Sequence, residues 1–171
     1  MCEQSPGEKK LLTPCEGKLL TIVGALLALL FVAQPAWRGL ARASEIETYA
    51  IAAPEFDAKL EAQIARYKVG DDDGVPVVRP PPGDVYVSAG RWRFRPVLEL
   101  QPGQSYRLHV ASEDILHGVV IGGKEALLAP GRAAILPVTT GEPGRFTMVC
   151  SEYCGLEHNK MRHWVNVIAA P

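Results

Sequence analysis

The sequence predicts a mainly β domain, built as a sandwich or a barrel, that follows a single N-terminal transmembrane helix. Two features indicate this architecture. An uncharged apolar run lies between Lys18 and Arg38, and from Asp84 onwards short β-branched and aromatic runs alternate with Pro-Gly and Gly-Gly turns. The 171 residues suit one domain with an appendage, and the net charge of −1 gives no bulk attraction to nucleic acid. The four cysteines are too few and too scattered for a disulfide scaffold.

Residues 19–37 form the predicted transmembrane helix. The core of this run is apolar on every helical face, which excludes an amphipathic surface helix. At a rise of about 1.5 Å per residue, the run spans roughly 28 Å, close to the hydrocarbon thickness of a bilayer. The alternative is a cleaved secretory signal that ends near Ala41-Arg42-Ala43. The length of the run and of the segment before it favours a retained anchor.

The distribution of basic residues predicts the orientation of this helix. Lys9, Lys10 and Lys18 precede the run, whereas Arg38 and Arg42 follow it. The positive-inside rule then makes residues 1–18 a cytoplasmic N-terminal tail. The C-terminal domain is expected on the outer, periplasmic side of the cell inner (plasma) membrane.

Residues 38–83 are predicted to form an amphipathic helix followed by a proline-rich linker. Apolar residues recur at helical spacing from Phe56 to Tyr67, and the prolines of residues 79–83 favour an extended, stiff chain. Residues 84–171 are then the β domain. Its predicted strands are 84–88, 91–98, 105–111, 116–121, 132–138, 145–150 and 163–169.

A loop near the C-terminus carries the residues that indicate chemistry. Its sequence runs Cys150-Ser-Glu-Tyr-Cys154-Gly-Leu-Glu-His158-Asn-Lys-Met161. Thiolate, imidazole and thioether groups together suit copper better than calcium or magnesium, and zinc sites seldom use methionine. A structural disulfide between the two cysteines is the alternative, but it leaves the histidine and the methionine unexplained. His117 offers a second imidazole upstream, and beside this loop we expect it to bind metal rather than only fill the core.

This loop resembles the binuclear copper (CuA) loop of cytochrome c oxidase subunit II, in the pattern C-x-E-x-C-G-x-x-H-x-x-M. Asp114-Ile-Leu-His117 resembles the upstream histidine motif of that family, and the likeness covers roughly residues 84–168. The single N-terminal span is most similar to the B-type haem–copper oxidases. The resemblance implies a cupredoxin-like Greek-key β-sandwich that holds two copper ions.

The resemblance also implies a role for each ligand residue. Two thiolates would bridge both coppers, each imidazole would bind one copper, and the methionine would be a weak axial ligand. Glu152 would bind through its backbone carbonyl, and its carboxylate would reach a magnesium ion at the interface with the catalytic subunit. The predicted metal ligands are His117, Cys150, Glu152, Cys154, His158 and Met161.

The function implied is electron transfer in a haem–copper terminal oxidase. Electrons would come from a soluble cytochrome c or a small copper protein and pass to haem in catalytic subunit I, which reduces oxygen. No catalytic residue is expected on this chain. The CuA subunit of a nitric oxide reductase is an alternative of the same superfamily, and a membrane-anchored copper-delivery protein is one of a different class.

Three further residues are assigned through the resemblance. In Arg91-Trp92-Arg93-Phe94-Arg95 the arginines and the aromatics alternate, as in an ordinary strand, but the family accepts electrons through aromatic residues in this stretch. Trp92 and Phe94 are therefore predicted to be the site where electrons enter. Glu16, before the apolar run, is either a solvated residue or the mouth of a proton channel.

Charge and side-chain alternation lead to the remaining expectations. Residues 79–171 contain ten Lys and Arg against eight Asp and Glu, which favours a neutral or acidic donor, or a mainly apolar contact. His109 lies on the predicted polar face of its strand and is expected at the surface. His163 does not fit the ligand motif.

Overall fold

The computed structural model describes residues 14–41 and 46–169, which belong to two compact units that divide after Glu45. The first unit contains helix α1, Pro14–Ala41, which begins before and ends after the predicted apolar run. Its segment Gly17–Gln34 has a mean hydropathy of 1.9, and its side chains are exposed. Among the described residues, α1 is the one helix with the length and composition needed to cross a membrane.

The second unit is a β-sandwich with one helix. Its elements are β1 Glu47–Ala50, α2 Ala53–Tyr67, β2 Lys68–Asp72, β3 Val75–Val78, β4 Gly83–Gly90, β5 Arg93–Arg95, β6 Val97–Leu100, β7 Ser105–Ser112, β8 His117–Ile121, β9 Lys124–Leu128, β10 Arg132–Thr139, β11 Gly144–Val149 and β12 Arg162–Val167. A short 3-10 helix, His158–Lys160, precedes β12. The prediction of a mainly β domain is confirmed.

The strands form two sheets with many non-sequential neighbours. One sheet has the order β1-β10-β7-β4-β5, and the other has the order β2-β3-β6-β12-β11-β8-β9. Apolar side chains from both sheets meet between them, among them Val87, Leu108, Ile121, Leu136 and Val165, all essentially buried. Each such side chain contributes about 1.5–3 kcal/mol when it is fully buried. The architecture is therefore a sandwich rather than a barrel.

The compact unit begins at Ile46 rather than at residue 84, where the sequence placed the start of the β domain. The amphipathic helix is observed as α2, which buries Phe56, Leu60 and Ile64. The segment between this helix and residue 84, expected to be a linker, contains the β2–β3 hairpin, and β1 pairs with β10. These strands have four or five residues, too few for a periodic pattern, and partners distant in the sequence hold them in place.

His109 is buried, whereas the sequence placed it at the surface. Only 7% of the residue is exposed. Its Nδ1 lies 2.9 Å from the hydroxyl of Tyr49, and its Nε2 lies 3.1 Å from the carboxylate of Asp84. Because β1 brings Tyr49 onto the sheet, both ring nitrogens have partners and the imidazole can be buried at little cost. Burial is also the main cause that raises the pKa of Tyr49.

Candidate metal centre

The ends of three neighbouring strands build the candidate metal centre. His117 is the first residue of β8, Cys150 directly follows β11, and Met161 directly precedes β12. Strand β11 pairs with both β8 and β12, so these three strand ends lie next to one another at the same end of one sheet. The hydrogen bond from the Cys150 amide to the Met161 carbonyl, 3.0 Å, closes the loop between β11 and β12. Sheet pairing thus brings the upstream histidine to the cysteine loop.

The sequence-predicted ligands converge on two thiols. The Sγ atoms of Cys150 and Cys154 are 3.8 Å apart and unbonded. The Nδ1 of His117 lies 3.8 Å from the first sulfur, and the Nδ1 of His158 lies 3.6 Å from the second. The Sδ of Met161 is 3.7 Å from the Cys154 sulfur. Two imidazoles and one thioether therefore surround a pair of thiols.

The donor set fits a soft metal ion. Two sulfurs that share a metal at about 2.3 Å in near-tetrahedral geometry stand roughly 3.8 Å apart, the separation of these two thiols. The donor atoms of His117, Cys150 and Cys154 all lie within 4.8 Å of one another. These residues are buried, with His117 fully excluded from solvent. Thiolate, imidazole and thioether donors in a rigid, dry site suit copper.

Glu152 reaches the thiols through its main chain. Its carbonyl oxygen lies 3.2 Å from the Cys150 sulfur, whereas the residue is exposed. The preceding Ser151 packs against β8 at Gly118, where a Cβ would overlap the serine hydroxyl. A glycine at this position therefore allows the ligand loop to lie directly on the strand. All six predicted ligands are brought together.

Asp114 orients His117, a role that the sequence motif Asp114-Ile-Leu-His117 did not by itself indicate. The Nε2–H of His117 donates to the carboxylate of Asp114 at 2.7 Å, which leaves Nδ1 free to face the sulfurs. The carboxylate also accepts the backbone N–H groups of Ile115 and Arg91, at 2.7 and 3.0 Å. Burial raises the pKa of Asp114, but these hydrogen bonds together lower it below the usual range. The group is therefore an anion that fixes the histidine ring.

Burial changes the acidity of the second thiol. Desolvation, and then the neighbouring Cys150, raise the pKa of Cys154 to about 11. In the metal-free protein this thiol is therefore protonated at neutral pH. Metal binding at such a site releases the proton, since the thiolate is the ligand.

The two aromatic residues predicted to accept electrons occupy different environments. Trp92 is half-buried, and its Nε1–H donates to the carbonyl of Cys154 at 3.1 Å. Its ring lies against Gly155, where a Cβ would stand 3.2 Å from the indole nitrogen and where φ is +118°. Phe94 is fully buried in the core, so it is not part of a surface patch. Phe94 lies within β5 on its core face, whereas Trp92 directly precedes this strand and does not follow its alternation.

Two other residues from the sequence analysis lie apart from the ligand set. Glu16 falls within α1, and its side chain is outside the described residues. His163 is half-buried on β12, and burial is the main cause that lowers its pKa. Its Nδ1 is buried without a hydrogen-bond partner among the described residues.

An exposed apolar patch, which the sequence analysis did not identify, lies on the loops that carry the ligands. The patch consists of Leu116, Tyr153 and Leu156, which are 44%, 77% and 90% exposed. Each belongs to the same loops as the ligands, and the Tyr153 ring lies 5.9 Å from the ring of His158. Exposed apolar groups clustered beside a buried site are typical of an interaction surface.

Comparison with known proteins places these features in a family context. Residues 95–168 match the family model described as cytochrome C oxidase subunit II, periplasmic domain. Cytochrome c oxidase subunit 2 of Thermus thermophilus is 30% identical over 80 residues, which cover 45% of this chain and 59% of that protein. The probable cytochrome c oxidase subunit 2 of Streptomyces coelicolor is 32% identical over 76 residues, 43% of this chain and 24% of its own length. The matches thus span at most about three fifths of these curated relatives.

Among solved structures, rusticyanin from Thiobacillus ferrooxidans superposes with a TM-score of 0.51 at 15% identity. The match covers 74% of this chain and 100% of that one. At 15% identity this similarity is evidence for the fold alone. The predicted cupredoxin-like sandwich is confirmed, and the resemblance to subunit II is confirmed over the matched residues.

Proposed function

We propose that the chain is the membrane-anchored, electron-transferring subunit II of a haem–copper terminal oxidase of the B type. It takes electrons from a soluble cytochrome c or a small copper protein and passes them, through a binuclear CuA centre, to haem in catalytic subunit I, which reduces oxygen. The observation that carries this proposal is the convergence of two imidazoles, a thioether and a backbone carbonyl on the paired thiols of Cys150 and Cys154.

Each ligand has a defined part in this proposal. Cys150 and Cys154 would hold both copper ions, His117 and His158 would each hold one of them, and Met161 and the Glu152 carbonyl would complete the site. When bound, the copper pair supplies a one-electron redox centre. The residues contribute rigidity, because strand ends and the Asp114 hydrogen bond keep the donor groups in one arrangement as the charge changes. No nucleophile or general base is needed on this chain.

The apolar patch around the ligand loop supports the proposed docking of the donor. Leu116, Tyr153 and Leu156 would make a mainly apolar contact close to the buried ligands. Trp92 would be the electron-accepting residue of this surface. Its indole N–H is bonded to the carbonyl of Cys154, so a single hydrogen bond joins its ring to a proposed copper ligand.

The remaining parts of the proposal concern the membrane and the partner subunit. Helix α1 would anchor the chain in the cell inner membrane with its N-terminus in the cytoplasm and the β-sandwich in the periplasm, and its length and hydropathy support this. The exposed carboxylate of Glu152 would bind magnesium at the interface with the catalytic subunit. Glu16 would lie at the mouth of a proton channel.

The test is to load the full-length chain, purified in detergent, with copper and to count copper per chain. Two coppers per chain and a multi-line electron paramagnetic resonance pattern of one electron shared by both would support the proposal. Cys150→Ser should abolish this pattern, whereas His163→Ala, outside the ligand set, should leave it intact. One copper per chain, or a colourless labile site, would instead favour copper delivery.

The role of Trp92 has its own test. Trp92→Ala should slow reduction of the copper centre by the donor without changing the copper content. Trp164→Ala is the matched control, because this second tryptophan is 43% exposed on β12 and makes no hydrogen bond to the ligand loop among the described residues. Equal reduction rates in the wild type and Trp92→Ala would remove this residue from the pathway.

A further inference from the structure

Three of the proposed ligands are so well buried that a metal ion needs a route to them. Cys154 and Met161 are 1% and 2% exposed, and His117 is fully excluded from solvent. An ion in solution cannot contact these donor atoms directly. Structural metal sites require a path of access, and in this domain the path must pass between the strand ends that carry the ligands.

The structure contains an open cleft that meets this requirement. It has a volume of about 410 Å³ and is lined by Thr147, Val149, Cys150, His158, Asn159, Met161 and Arg162. Three of the proposed ligands are among these residues, whereas His117 and Cys154 are not. The cleft therefore joins solvent to one side of the ligand set.

We infer that this cleft is the copper-loading route, and that it accepts Cu(I) as an anionic complex. The inference rests on the proposed function, since it presumes that the thiols bind copper. His158 is the half-exposed ligand and meets the ion first, followed by the thioether of Met161 and the sulfur of Cys150. The deeper Cys154 and His117 come last.

The charge at the cleft indicates which form of copper it accepts. Arg162 is exposed, and its guanidinium donates to the carbonyl of Asn159 at 3.3 Å without a carboxylate partner among the described residues. The nearby Lys160 is neutralised by Glu157 at 2.8 Å. A lone arginine repels a free cation and attracts an anionic carrier complex.

Loading requires no change in the oxidation state of copper and no oxidant or reductant. The imidazole of His158 and the thioether of Met161 bind Cu(I) as neutral donors and displace the ligands of the carrier. The Cys150 thiol then loses its proton to water as its sulfur binds the ion. Copper remains Cu(I) throughout, and the products are the bound ion, the free carrier ligands and one proton for each thiol.

The cleft can be closed by one side chain. Thr147 is exposed on β11, on the same face of the strand as Val149, and both line the cleft. An indole at this position would fill the space without replacing a ligand. Thr139 on β10, in the other sheet, is also exposed and lies outside the cleft.

The experiment follows copper uptake by the reduced, metal-free full-length chain in detergent. The probe is the anionic Cu(I)–bicinchoninate complex, whose colour is lost as copper transfers in a stopped-flow mixer. Thr147→Trp should slow uptake by about tenfold, which corresponds to ~1.4 kcal/mol in the barrier. Its final copper content and optical spectrum should equal those of the wild type, and Thr139→Trp should load at the wild-type rate.

A second variant keeps the inference testable if Thr147→Trp does not fold. Arg162→Glu should slow uptake from the anionic complex but not from cationic Cu(I)–acetonitrile, and Arg162→Lys should retain the wild-type rate. Wild-type rates in both Thr147→Trp and Arg162→Glu would overturn the loading route while leaving the copper centre in place. A wild-type chain that takes up no stoichiometric copper would overturn the proposed function, and the loading route with it.

Discussion

The hydrogen bond between Trp92 and the ligand loop should be measurable as stability of the metal-free protein. Trp92→Phe keeps an aromatic ring but removes the N–H that donates to the Cys154 carbonyl at 3.1 Å. Cys154 is 1% exposed, so its carbonyl would lose its partner in a buried position. Such a loss costs about 1–3 kcal/mol. For a domain of this size ~1 kcal/mol shifts the Tm by about 4 °C, so a decrease of roughly 4–12 °C is expected.

The assay is differential scanning calorimetry of the metal-free full-length chain in detergent, with Trp164→Phe as the control. Trp164 is 43% exposed and carries the Arg145 guanidinium 4.1 Å from its ring centre, a contact that a phenyl ring preserves in large part. The free energy of unfolding of the control should stay within about 0.5 kcal/mol of the wild type, and its Tm within ~2 °C. If Trp92→Phe also melts within ~2 °C of the wild type, the hydrogen bond does not hold the ligand loop and the reasoning is wrong.

Three further changes test other parts of the structure. Asp114→Ala should weaken metal binding about 10- to 100-fold in a chelator competition, because His117 loses the acceptor that orients its ring; unchanged affinity would contradict this role. Glu61→Gln should lower the Tm measured by calorimetry at pH 7, since the hydrogen bond from Arg95 lowers the pKa of Glu61 in the folded protein. The difference in Tm between variant and wild type should vanish as the pH falls well below ~4, where the carboxyl is protonated in both the folded and the unfolded state. His109→Phe should destabilise the chain by about 1–3 kcal/mol in urea, because its tyrosine and aspartate partners lose their hydrogen bonds, and an unchanged midpoint would mean that these bonds add no stability.

The chemistry of the site could be predicted because most of it is local. Five of the six proposed ligands lie within the twelve residues from Cys150 to Met161, and a short loop cannot separate them widely. Met161 and Cys154 are indeed 3.7 Å apart at their sulfurs. His117 lies far upstream, and only the pairing of β8 with β11 brings it to the thiols.

Other features depended on contacts between distant segments and could not be predicted. Short strands such as β1 have no periodic signal of their own and exist because a partner strand is present. The same pairing buries His109, whose alternation with apolar neighbours had suggested a solvated face. The sequence predicts that electrons enter at Phe94 as well as at Trp92, but the side chain of Phe94 is completely buried.

Local sequence patterns predict the apolar helix, the mainly β character and the set of soft donor atoms, because hydropathy, turn residues and ligand chemistry are properties of short segments. Tertiary packing, in contrast, determines which side chains are buried. It also places Asp114 against His117, bonds Trp92 to the carbonyl of Cys154 and leaves a cleft beside His158. These features arise where strands far apart in the chain pack together, and packing of that kind leaves no local pattern in the sequence.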